Sequence, residues 1–136
     1  MSSEIPFRIM PTFVHIDIAA ENVERAKKFY ETLFGWKFYS PPGYPGYYLF
    51  ETNDETGAGP ERLAPLIGGG LGKREAPNQR ITCYIGVDSI TDYLDKIVAM
   101  GGKITMPYTE LPGYGALANC EDCEGDSFGL FEESRK

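Results

Sequence analysis

His15 and Asp17 are the residues of this sequence best placed to do chemistry together. His15 is the only histidine in the 136-residue chain, two positions before Asp17 in Phe13-Val14-His15-Ile16-Asp17-Ile18. Side chains alternate between faces along a strand, so Val14, Ile16 and Ile18 share an apolar face while His15 and Asp17 share the other. An imidazole beside a carboxylate could act as a general base, as a hydrogen-bonding handle for a bound molecule, or as one ligand of a metal ion. Structural satisfaction by backbone or tyrosine partners accounts for the same pattern.

Cys120 and Cys123 form a Cys-x-x-Cys pair, with Cys83 the third cysteine. A structural zinc site needs four nitrogen or sulfur ligands, and only Cys83 and His15, both expected within strands remote in sequence, remain to supply them. A thioredoxin-like redox pair would open a helix, whereas this one precedes a Glu124-Gly125-Asp126 turn. Reduced thiols are therefore expected, which agrees with a cytoplasmic protein. The run Gly68-Gly69-Gly70-Leu71-Gly72 lacks the Gly-Lys-Ser/Thr ending and following helix of a phosphate loop, and residues 68–78 read as a flexible connection. Tyr44, Tyr47, Tyr48, Phe50, Tyr84, Tyr108 and Tyr114 lie in expected strands or rims, where tyrosine offers apolar area with one polar handle.

These groups must be positioned by elements that the sequence marks clearly. After the first strand, Asn22 can cap a helix whose stripe is Val23, Ala26, Phe29, Tyr30, Leu33 and Phe34, and Gly35 supplies a left-handed stop. The same pattern returns half a chain later. Ile81, Cys83, Ile85 and Val87 form an apolar strand face opposite Thr82 and Tyr84. Ser89 caps a helix with Ile90, Tyr93, Leu94, Ile97 and Val98 on one stripe, and Gly101-Gly102 ends it. Short strands are expected over 37–39, 46–52 and 63–68, then over 103–107, 116–120 and 127–132. The order is βαβββ twice, an α+β fold whose modules are expected to form one half-open barrel cleft. Module 1 should cover about residues 11–70, a linker 71–79 and module 2 80–133, all within a single domain.

Composition restricts the partners. The chain has 20 acidic against 13 basic residues and 42% hydrophobic content, with no basic run suited to nucleic acid. No stretch approaches the ~18 apolar residues of a membrane span, and residues 1–11 lack the apolar core of a signal peptide.

As an ordered set, several of these runs resemble the vicinal-oxygen-chelate superfamily of glyoxalase, bleomycin-resistance and dioxygenase proteins. They are Val14-His15-Ile16-Asp17-Ile18, the helix from Val23 to Tyr30 with Phe34-Gly35-Trp36, Gly101-Gly102-Lys103-Ile104, Met106 through Gly115, and Asp122 through Phe131. Catalytic members hold a divalent metal on His or Glu side chains, and that metal polarises substrate oxygens as a Lewis acid. The resemblance puts His15 at the first ligand position, Thr82 at the one opening the second module, Gly129 at the closing carboxylate, and the remaining position around residues 68–70. Only His15 is a recognisable ligand, with Glu51 or Glu110 as unforeseen additions if a metal is held.

The reading that follows is a cleft binding a small aromatic or apolar molecule without the full metal site or any other cofactor. His15, Asp17, Tyr48, Phe50, Thr82, Tyr84, Tyr108 and Tyr114 are the expected ligand-binding residues, with His15 the catalytic candidate. A metal-dependent glyoxalase- or dioxygenase-type enzyme and a non-catalytic interaction domain are the alternatives. The expected partner is a small molecule, with neither nucleic acid nor membrane, and the connection over 68–78 allows the modules to pair within one chain or between the two copies of a homodimer.

Overall fold

The structure is a computed structural model that describes residues 10–52 and 67–134. Its elements are β1 (Thr12–Ala20), α1 (Val23–Phe34), β2 (Lys37–Tyr39), β3 (Tyr48–Glu51), β4 (Gly68–Lys73), β5 (Ile81–Gly86), α2 (Ile90–Ala99), β6 (Lys103–Leu111), β7 (Gly115–Glu121) and β8 (Ser127–Glu133). The fold is α+β, and βαβββ occurs twice. By compactness the chain divides into one unit of His15–Cys83 and another made of the described residues up to Val14 with those from Tyr84 onward.

In the first unit the strands run in the order β2-β3-β4-β1, with β4 parallel to β1 and antiparallel to β3. Helix α1 covers one face. Asn22 caps it by accepting the Arg25 N–H at 3.0 Å, and Gly35 ends it in the left-handed region at φ 73°. Asn22→Ala should therefore cost about 1 kcal/mol of unfolding free energy, measured by urea denaturation, with an unchanged slope. Inside the unit an aromatic stack takes the place of aliphatic packing. The Trp36 ring lies between Tyr30 at 5.1 Å and Phe50 at 5.0 Å, parallel to both within 6°.

The helix stripe is only partly used. Val23, Ala26 and Tyr30 are half-buried, whereas Phe29, Leu33 and Phe34 are more than half exposed. The apolar stripe is wider than the edge of α1 that meets the sheet.

The glycine run is strand β4, not a connection. Gly69 and Leu71 are buried on the helix-covered face, and Leu71 is fully so. Glycine is required there because a Cβ on Gly69 would stand 1.9 Å from the Ile16 carbonyl oxygen. The strand expected over 63–68 lies mostly outside the described residues.

In the second unit the order β5-β8-β7-β6 repeats the first: opening strand, then fourth, third and second. Ile90, Ala116, Ala118, Cys120 and Leu130 form the buried core beneath α2, joined by Ile85, Val87, Tyr93, Leu94, Ile97 and Phe128. Ser89 caps α2 through the Asp92 N–H, and Gly101 follows the helix at φ 96°. The Glu132 carboxylate accepts the Ile90 N–H at 2.9 Å, which ties β8 to the first turn of the helix. None of the described helices is long and apolar enough to cross a membrane.

Candidate functional site

The face of the first unit opposite α1 carries a hydrogen-bonded cluster. His15 and Asp17 project from β1 on the same side, as strand alternation requires, with His15 Nε2 2.8 Å from Asp17 Oδ1. The Tyr47 hydroxyl donates to that same Oδ1, also at 2.8 Å. A carboxylate oxygen only accepts, so Nε2 carries hydrogen in this arrangement and Asp17 fixes the ring. The His15 and Asp17 side chains are about 30% exposed, so solutes can reach the cluster.

The glycines of β4 make room for Tyr47. Asp17 is in register with Gly70. A Cβ on Gly70 would lie 1.7 Å from the Tyr47 hydroxyl oxygen, and one on Gly72 would lie 2.9 Å from the ring. Tyr47 therefore lies along the bare backbone of β4 and reaches Asp17 across it.

Tyr48 and Phe50 belong to the other face, and this corrects the expectation that they border the same surface as His15. Phe50 is in register with Gly69 and is 4% exposed within the Trp36 stack. The Tyr48 hydroxyl donates to the Glu24 carboxylate of α1, and Lys27 of the same helix lies 5.2 Å over its ring. The hydrogen bond to Glu24, then desolvation and the negative charge of Glu24, push the Tyr48 phenol pKa upward. Alternation along β3 places the two residues together, but adjacent tyrosines at 47 and 48 leave its phase unresolved by pattern alone.

In the second unit Tyr84 lies on the face away from α2 and is 5% exposed. Its hydroxyl donates to Asn119 Oδ1 at 3.0 Å. Its ring covers Gly129, its register partner, where a Cβ would meet two ring carbons at 2.2 Å. Thr82 is half-buried on β5, whereas Tyr108 and Tyr114 are exposed at 45% and 38%. Glu51 and Glu110 are also exposed. Cys83, Cys120 and Cys123 are free thiols, and burial raises the pKa of Cys120.

The donor set does not fit the divalent ion implied by the resemblance. Of the positions the resemblance implies, only His15 carries a ligating side chain: Thr82 is a poor ligand, and Gly129, Gly68, Gly69 and Gly70 offer no side chain. Among the described residues no three His, Cys, Asp or Glu side chains gather as a metal site.

Known proteins agree with this architecture. Residues 12–53 match the family described as Bleomycin resistance protein-like N-terminal. Over 120 residues the chain is 28% identical to the candidate glyoxylase CFP32 of Mycobacterium bovis. The match covers 88% of this chain but 45% of the relative, so the chain spans about half that protein's length. A glyoxylase-like domain-containing protein of Didymella fabae is 33% identical over 88 residues, 65% of this chain and 66% of that one. Among solved structures, a methylmalonyl-CoA epimerase in complex with methylmalonyl-CoA and NH4+ superposes with a TM-score of 0.66 at 15% identity, covering 93% of this chain and 97% of the other. With two modules of one strand order and these matches, the chain belongs to the vicinal-oxygen-chelate superfamily. Within it, the chain is a glyoxylase-like protein related to the bleomycin-resistance group.

Proposed function

We propose that this protein binds a small apolar or aromatic molecule on the face bearing His15, Asp17 and Tyr47, and does so without a divalent metal. The supporting observation is a substitution that occurs in both modules. At Gly70 in the 68–70 stretch, and at Gly129, a position implied to carry a metal ligand has glycine, and a tyrosine side chain fills the space. Each tyrosine hydroxyl is anchored, Tyr47 on Asp17 and Tyr84 on Asn119. Over Gly129 the phenol is Tyr84, which is 5% exposed and closes that position, whereas over Gly70 the half-buried Tyr47 offers an aromatic surface with a polar edge beside His15 and Asp17. Such a surface suits a flat or apolar ligand oriented by a few hydrogen bonds.

The test combines elemental analysis with binding. The purified protein should retain far less than one nickel, zinc, iron or manganese ion per chain. Aromatic compounds from a thermal-shift panel should raise its melting temperature in a concentration-dependent way. Tyr47→Phe removes one hydrogen bond from the cluster and should weaken the best binder about fivefold. One metal ion per chain, lost in His15→Ala, would overturn the proposal.

The contact between His15 and Asp17 favours a second reading, a metal-free proton-transfer enzyme of the glyoxylase type. Asp17 would orient the imidazole, and the ring would exchange a proton with a carbon acid or hydroxyl of the substrate. That reading requires catalysed incorporation of solvent deuterium into a bound carbonyl compound, lost in His15→Gln. Binding without such exchange leaves the first reading in place.

A further inference from the structure

The second unit contains a groove of about 430 Å³ that shares no residue with the His15 cluster. We propose that it binds a small organic cation with an aromatic or alkyl body. Alternation along β8 brings Phe131 and Glu133 to one face, and Phe131 pairs in register with Gly86. Gly86 lets Val14 close on the backbone there, with one Val14 methyl group 2.9 Å and the other 3.3 Å from where a Cβ would be. Met10, Val14, Val87 and Phe131 supply apolar walls, and Asp88 and Glu133 line the same groove. Among the described lining residues none is basic.

That combination selects a ligand class. The apolar walls favour a hydrocarbon body, and the volume lies within the ~300–1,000 Å³ usual for small-molecule sites. An ammonium group beside Phe131 would meet the negative face of an aromatic ring and the Glu133 carboxylate together. An anion would meet the Glu133 carboxylate on a chain whose formal net charge is −7. A neutral ligand of the same shape would retain only the apolar term.

The probes are 2-phenylethylammonium, neutral 2-phenylethanol and anionic 3-phenylpropanoate, each titrated near neutral pH into isotope-labelled protein and followed by amide chemical shifts. The cation should perturb residues 10–14, 86–88 and 131–133, and should bind about fivefold more tightly than the alcohol, with the anion weakest. Glu133→Gln should bring the cation down to the affinity of the alcohol. Thr12→Lys, another exposed lining position, should abolish cation binding through a like charge. His15→Ala should change nothing here, so failure at this groove and failure of the His15 reading give different results. Equal affinity for cation and alcohol, no perturbation of these amides, shifts confined to residues 15–17 and 47, or unchanged binding in Glu133→Gln would each overturn the proposal.

Discussion

Gly69→Ala is expected to destabilise the protein by about 3 kcal/mol or more, although it adds one methyl group. The added carbon would lie 1.9 Å from the Ile16 carbonyl oxygen and 2.7 Å from Phe50 Cζ. Phe50 is locked into the Trp36 stack, and the Ile16 carbonyl belongs to the strand paired in register with Gly69, so neither gives way cheaply. Relief requires β1 and β4 to part, which weakens their ladder and disturbs the β1 segment that carries His15 and Asp17. Urea denaturation measures the loss. Gly43→Ala is the control: no atom stands within 4 Å of its Cβ position, but its φ of 88° is left-handed. Its cost should be only about 1 kcal/mol, from backbone conformation alone. Equal effects at the two glycines would show that packing at β4 is looser than described.

Gly129→Glu, which places a carboxylate where the resemblance implies a metal ligand, should destabilise the protein and fail to create a metal site. The Tyr84 ring already fills the space: two of its carbons lie 2.2 Å from the Cβ position, and its hydroxyl is held by Asn119. Overpacking of this kind costs about 1–3 kcal/mol, and a carboxylate pressed against a buried ring adds desolvation. Tyr84→Ala should be destabilising alone through the cavity it leaves, yet the double variant should be less destabilised than the sum of the two. A favourable coupling of about 1 kcal/mol or more in the thermodynamic cycle would identify Tyr84 as the group that excludes a side chain at position 129. Additive effects would refute that assignment, as would a single Gly129→Glu variant that gains tight zinc or nickel binding without loss of stability.

Both expectations depend on glycines that the sequence shows only as a flexible-looking run or a gap in a ligand pattern. Residues 68–72 read as a connection because glycine loses most entropy on ordering. In the fold that cost is offset by contacts other residues make across the bare backbone: Phe50 over Gly69, and Tyr47 over Gly70 and Gly72. Pattern alone shows no such dependence, since each glycine is explained by a residue about twenty positions earlier. Tyr48 and Phe50 present a related difficulty. With aromatic residues at 47, 48 and 50, the phase of a four-residue strand is undetermined until its register with β4 fixes Phe50 opposite Gly69.

Local physics sufficed for other features. Asn22 and Ser89 cap the two helices, Gly35 ends the first and Gly101 follows the second, because capping involves only residues a few positions apart. Alternation likewise put His15 beside Asp17 on one face of β1 and Tyr84 opposite the α2 core. The duplication of βαβββ follows from the same local signals occurring twice. Tertiary structure decided what those positions face: that Tyr47 joins His15 and Asp17, that Tyr48 and Phe50 turn towards α1, and that Tyr47 and Tyr84 fill the space over Gly70 and Gly129. The division has a physical cause. Caps, turns and strand parity are set by neighbours along the chain, whereas the partner of a side chain across a sheet depends on strand register, which is fixed only when the whole core packs.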